Sequence, residues 1–274
     1  MLAATADGTA LLGWDGSSRE GVPITLPKSD ANWVATGRAD VLAAVLPKGT
    51  TATSDPVHLG DPLVWRPVKA TDLTGKTPVG PDFFATWDPE GGRFATLAGD
   101  LPGGGAVNVV LIDPSTGSAF EIAIDRAVVA APPVWIDADR LVVVTGDAAA
   151  PLAAIVDTTT SEVTDGPSGD RLLAASGDGK RIATMAAQGD PVVVRDTGGW
   201  LAGDGSQLAS IAPPTSSATA IGFALDGTGQ RLVVAWAAED GSVSLAIHDG
   251  GSDWRRVAQP ALDAARGAVV AWLR

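Results

Sequence analysis

The chain has 274 residues, 45% hydrophobic and 19% charged, and its 32 Asp and Glu against 19 Lys and Arg give a net charge of −13. Such a chain is globular with ample core, and it lacks the excess of cations that phosphate binding draws on, which argues against nucleic acid as a partner. Cysteine is absent and histidine is limited to His58 and His248, excluding disulfides, thiolate chemistry and histidine-rich metal sites.

Five of the acidic residues are Glu, leaving 27 Asp. Asp favours turns where Glu favours helices, so the acidic bias itself points to an all-β chain with many Asp-marked turns. Apolar runs such as Leu141-Val142-Val143-Val144 are strand-sized, too short to cross a bilayer as helices. Met1-Leu2-Ala3-Ala4-Thr5 has neither a basic stretch nor a long apolar core, so no signal peptide is read there. A start made directly on a strand suggests a processed or truncated extracytoplasmic chain, with a cytoplasmic protein as the alternative.

In chain order, 2–6, 10–14 and 22–26 read as the second, third and fourth strands of a sheet whose first strand is missing. From 33 to 46 runs a degenerate strand–turn–strand unit with Gly37-Arg38-Ala39-Asp40 as its turn. Clearer copies follow: Trp87-Asp88-Pro89-Glu90-Gly91-Gly92-Arg93-Phe94, Trp135-Ile136-Asp137-Ala138-Asp139-Arg140-Leu141, Ser176-Gly177-Asp178-Gly179-Lys180-Arg181-Ile182 and Leu225-Asp226-Gly227-Thr228-Gly229-Gln230-Arg231-Leu232. Each has an apolar strand, an Asp/Gly turn, an Arg or Lys-Arg, and a second apolar strand. The one helix candidate, 260–266, is too short to stand alone. The last run, 268–273, reads as an innermost strand with no sheet after it.

Asp15, Asp72, Asp113, Asp157, Asp196 and Asp249 each open the turn after a third strand, at spacings of 57, 41, 44, 39 and 53 residues, with 40 on joining the end to the start. The mean is roughly 46, within the ~40–50 residues of propeller repeats. The expected fold is a single all-β, six-bladed β-propeller. Its first blade combines 267–274 with 1–27, and the others occupy 31–79, 81–125, 131–165, 170–212 and 218–260. Tail and head together complete one blade and remove the open sheet edges.

The turn-Arg-strand unit resembles the repeat of TolB-type, PD40-class propellers, with four good copies and no catalytic motif. It departs from TolB in lacking an N-terminal α/β domain, and from WD40 repeats in lacking a Gly-His pair. The resemblance implies a binding scaffold, commonly outside the cytoplasm.

In a propeller with strands A to D from the axis outward, the B–C and D–A loops share one face. Long B–C loops are read at 47–62 and 98–106, and function concentrates where loops exceed what closure needs. Each B–C connection carries an Asp: Asp7, Asp55 or Asp61, Asp100, Asp147, Asp190 and Asp240. Together with His58 in the first long loop and Asn32 entering an innermost strand, they are the candidate binding residues. A Ca²⁺ ion or a basic partner would suit an acidic rim, whereas ordinary turn chemistry accounts for the same Asp residues and is preferred. No metal or other cofactor is therefore expected. His58 is read as a solvent-exposed loop residue and His248 as part of a third strand. Of the nine Trp, most should fill space between blades, with Trp200 and Trp254, near turns, as the candidates for stacking on a sugar.

The function read from these features is a non-enzymatic scaffold for a protein, small-molecule or sugar ligand, acting through the B–C and D–A face. The alternative is a propeller hydrolase or lactonase with an axial divalent cation held by Asp residues. No Gly-x-Ser-x-Gly elbow supports a serine hydrolase, and Gly103-Gly104-Gly105 is not followed by a helix that would make it a phosphate loop.

Overall fold

The computed structural model describes residues 85–90, 92–99, 107–113, 118–126, 133–147, 149–250 and 254–258, together with the backbone of the strands within 2–68 and of Ala268–Ala271. The strands begin with Leu2–Thr5 (β1), Leu11–Gly13 (β2) and Val22–Ile24 (β3), then Asn32–Ala35 (β4), Leu42–Val45 (β5), Val57–Asp61 (β6) and Val64–Val68 (β7). Next come Ala85–Trp87 (β8), Phe94–Gly99 (β9), Val107–Asp113 (β10) and Ser118–Ala123 (β11), and Val134–Trp135 (β12), Arg140–Asp147 (β13), Ala150–Asp157 (β14) and Val163–Ser168 (β15). Leu172–Ala175 (β16), Arg181–Met185 (β17), Val192–Asp196 (β18) and Ala209–Ile211 (β19) precede Thr219–Leu225 (β20), Arg231–Ala237 (β21), Val243–Asp249 (β22), Arg255–Ala258 (β23) and Ala268–Ala271 (β24). The expected helix at 260–266 lies outside the described residues.

Among the described residues these strands form six four-stranded antiparallel sheets, five of them consecutive meanders. The remaining sheet has the order β24-β1-β2-β3, with Leu2 opposite Ala271 and Thr5 opposite Ala268. The chain divides into two compact units, Met1–Asp30 with Leu172–Arg274, and Ala31–Arg171.

In the second of these units the cores of neighbouring sheets merge. Leu97, Val109, Leu111 and Ile122 pack with Trp135, Leu141, Val143 and Val156 from the next sheet. Val142 and Val143 in β13 are completely buried, as expected of a strand covered on both faces. The first unit repeats this plan: Val192 and Val194 of β18 pack with Phe223, Leu232, Val234 and Trp236 of β20 and β21. In the same unit β24 packs against β20 and β21.

Two expectations are corrected here. First, the stretch 47–62 is not all loop. Val57 to Gly60 pair with β5, placing His58 opposite Ala44, and Asp61 ends the strand opposite Val64 of β7. His58 is therefore a strand residue, and Asp61 belongs to the turn between the third and fourth strands, the opposite end from the one expected. Asp61, not Asp72, ends this third strand, and the spacings of 57 and 41 become 46 and 52. Backbone pairing with β5 and β7 outweighs the weak strand preference of Gly60 and Asp61. Second, a short helix, Thr197–Leu201 (α1), follows β18. Asp196 caps it by accepting a hydrogen bond from Gly199 N at 2.9 Å, the standard role of Asp at this position.

Candidate functional site

Four signature turns close with one bond. The carbonyls of Arg93, Arg140, Arg181 and Arg231 accept from the amides of Asp88, Ile136, Ser176 and Asp226 at 2.8–3.0 Å. A side-chain oxygen then caps each turn from within. Asp88 Oδ1 accepts from Gly92 N, Asp137 Oδ1 from Arg140 N, Ser176 Oγ from Arg181 N and Asp226 Oδ1 from Gln230 N. These carboxylates and the hydroxyl hold the hairpins in shape.

The turn Arg residues also reach the next sheet. Arg93 donates through Nη1 to Thr158 Oγ1 at 3.1 Å and through Nη2 to the Ala138 carbonyl, and its guanidinium lies 5.3 Å from the Trp135 ring centroid. In the other unit, Asp178 N donates to the Gly227 carbonyl at 2.8 Å, and the Arg181 stem lies against Gly229.

At the opposite ends of the sheets, three expected rim residues are described with their side chains. Asp147 Oδ1 accepts from Ala149 N and Ala150 N, Asp190 Oδ2 from Ala187 N, and Asp240 Oδ1 from Ser242 N. The bonds from the Ser242 side chain and backbone hold the Asp240 carboxyl below the usual carboxylate range. Each of these Asp residues thus braces its own turn, and among the described residues no cluster of three or more His, Asp or Glu could hold a metal. Asn32 stands at the start of β4, opposite Val45. Asp7, Asp55 and Asp100 lie outside the described residues.

A groove of about 330 Å³ lies elsewhere, between outer strands of two neighbouring sheets of the first unit. It is lined by 208–212, around β19, and by His248, Trp254 and Arg256 around β22 and β23. His248 and Arg256 are directly opposed across β22 and β23, so their side chains share one face of the sheet. His248 Nδ1 donates to the Trp254 carbonyl at 3.1 Å, which leaves Nε2 as an acceptor; that atom is buried and has no partner. Burial, opposed by the bond to Trp254 and reinforced by the charge of Arg256, holds the imidazole below its ordinary pKa and therefore neutral. Trp254 adopts φ 50, a strained region for a bulky residue, and its ring covers Gly250, where a Cβ would come within 2.6 Å of Cε2 and Cζ2.

No family model matches the sequence, and no curated protein matches it either. Solved structures do. TolB from Acinetobacter baumannii superposes over 97% of this chain with a TM-score of 0.67 at 15% identity. The fold is that of a TolB-like β-propeller. The chain spans 64% of the length of that TolB. A putative TolB from Agrobacterium tumefaciens is similar over 97% of this chain and 90% of its own, with a TM-score of 0.59 at 12% identity. A chain from a nidogen/laminin complex is similar over 97% and 96%, with a TM-score of 0.60 at 10% identity.

The two Trp residues singled out for sugar stacking do not present open rings in this propeller. Trp200 is 3% and Trp254 7% exposed; both lie near turns, as the sequence indicates, but turned inward. Trp200 is carried by α1, which no periodic pattern announces. The groove joins His248 and Trp254, noted separately in the sequence, with Arg256, which was not. The only sequence signal for Arg256 is the Trp254-Arg255-Arg256 run that follows an Asp-Gly turn.

Proposed function

We propose that this TolB-like propeller is a non-enzymatic interaction scaffold, acting outside the cytoplasm and requiring no cofactor. In this reading six blades close a ring, with β24 completing the blade of β1–β3, and the protein works through the face that carries the B–C and D–A connections. The supporting observation is the unequal length of the B–C connections. Eleven residues separate β5 from β6 and seven separate β9 from β10, while two suffice between β13 and β14. Connections longer than a hairpin needs are where rigid scaffolds carry recognition. Asp55 and Asp100 lie in these two segments, and Asp147, Asp190 and Asp240 mark connections of two, six and five residues.

The test places a photo-crosslinking residue at Thr51, Gly104, Asp178 or Gly227 of the full chain in its native host. Partner adducts at 51 and 104, and none at the A–B turn positions 178 and 227, are expected. Adducts confined to 178 and 227 would assign the opposite face. Replacing 46–56 or 100–106 with a two-residue turn should leave the melting temperature within a few degrees, because closure entropy varies slowly with loop length, while removing the adduct.

A further inference from the structure

We propose that the groove between β19 and the β22–β23 hairpin binds a small hydroxylated anion, its charge on Arg256 and a hydroxyl donating to Nε2 of His248. This site is built from the outer strands β19, β22 and β23 and goes beyond the scaffold reading.

Three observations converge on that chemistry. A volume of about 330 Å³ lies at the small end of ligand sites, ~300–1,000 Å³, and suits a compact solute. Arg256 is exposed at the groove, and among the described residues no carboxylate pairs with it. A guanidinium there offers a forked donor set matched to a phosphate or carboxylate. Across the ladder from it, His248 has an acceptor nitrogen buried without a partner. Buried acceptors are nearly always satisfied, and one that is not calls for an explanation. The bond to the Trp254 carbonyl fixes the tautomer with the proton on Nδ1, so Nε2 can only accept, and what it lacks is a donor. An O–H supplies one; a bare anion does not. The exposed hydroxyl-bearing Ser210, from the facing sheet, gives a second polar contact within the same groove. The preferred ligand therefore carries a hydroxyl and an anionic group a few bonds apart, as in a sugar phosphate or a hydroxycarboxylate.

The test titrates the intact chain by calorimetry with glycerol 3-phosphate, lactate, sulfate, acetate and glycerol. Imidazole NMR locates the site, since only two histidines need assignment. Glycerol 3-phosphate or lactate should bind saturably and shift the His248 resonances. Sulfate or acetate, which carry no hydroxyl donor, should bind at least tenfold more weakly, and glycerol not at all. A stronger response to glycerol 3-phosphate than to lactate assigns the phosphate form, and the reverse assigns the carboxylate form. Arg256→Gln, at an exposed position, should weaken binding at least tenfold with the fold intact. His248→Asn keeps a donor for the Trp254 carbonyl but loses the Nε2 acceptor, and should abolish the preference for the hydroxylated anion over the bare one. Absence of saturable binding at 20 mM, binding unchanged in Arg256→Gln, or shifts confined to His58 would overturn the proposal.

Discussion

Arg93 gives the sharpest test of how neighbouring sheets are tied together. Its side chain is 33% exposed, but the Asp88 carboxylate that it pairs with is 5% exposed and Thr158 7%. Replacing Arg93 with Ala removes Nε from Asp88 at 3.3 Å, Nη1 from Thr158, Nη2 from Ala138 O, and the contact with Trp135. Asp88 keeps the amides of Gly92 and Arg93 at 2.8 and 3.0 Å, and Thr158 still donates to the Asp139 carbonyl, so neither is stranded. The loss is then three charge-assisted bonds, which water partly replaces at a one-third-exposed guanidinium, leaving about 1.5–3 kcal/mol, plus a partly exposed cation–π contact of about 0.5–1 kcal/mol. Solvent access to the guanidinium reduces the sum, and about 2–3 kcal/mol is expected. For a chain of this size each kcal/mol lowers the melting temperature by about 2–4 °C, so Arg93→Ala should melt roughly 4–12 °C lower. Arg93→Lys should recover less than half of that, because an ammonium cannot reproduce the fork. Urea unfolding of Arg93→Ala, Thr158→Val and the double variant should give a coupling of at least about 0.5 kcal/mol. A single-variant loss below about 0.5 kcal/mol, the range of an ordinary surface change, or strict additivity would refute the latch.

Gly250→Ala should destabilise by about 1–3 kcal/mol by urea unfolding, since the new methyl meets the Trp254 ring at 2.6 Å and must displace it. His248 is held neutral in the fold, so the unfolded chain binds more protons below its ordinary pKa of 6.5. The stability this residue contributes is full above pH 6.5 and declines as pH falls towards the lowered folded value. His248→Asn should remove that decline, and a wild-type midpoint flat between pH 7 and 4.5 would contradict it. Deleting 267–274 strips β1 of one of its two partners and uncovers β20 and β21, and it should abolish a single cooperative melt by circular dichroism. An unchanged melting temperature would show that β24 carries none of the core.

Much of the strand order is legible because each signature turn announces itself twice. Asp, joined by Gly in three of the four, marks the hairpin, and the Arg that follows closes it through its carbonyl, so the apolar residues on either side fall into register. The tail strand is equally readable: an apolar run beside a head with three short strands and a missing first one. Residues 47–62 mislead because Pro, Thr, Ser and Asp at both ends look like one continuous loop. Only pairing with β5 and β7 makes 57–61 a strand, and that information is not local. α1 is five residues long and includes two Gly, so there is no periodicity to detect, and Asp196 as a cap is its one cue. That Trp200 and Trp254 turn inward depends on neighbouring elements, Gly250 among them, and not on their position near turns. The groove is the least legible feature, because 208–212 meet His248, Trp254 and Arg256 only when two sheets pack side by side.

The repeat pattern and its irregularities therefore divide the labour within each sheet. At one end, Asp88, Asp137, Ser176 and Asp226 fold hairpins that Arg93 and Arg181 lean across to the next sheet, so a change there perturbs two sheets at once. At the other end, Asp147, Asp190 and Asp240 each brace a single turn by bonds within two or three residues. Removing one such carboxylate disturbs its own loop and leaves the neighbouring sheet in place. That asymmetry lets one end vary in length and sequence without loss of the core. It also separates the B–C connections from the groove: those connections can change without touching His248 and Arg256, which lie at the outer strands and share no residue with the turns of Asp147, Asp190 and Asp240.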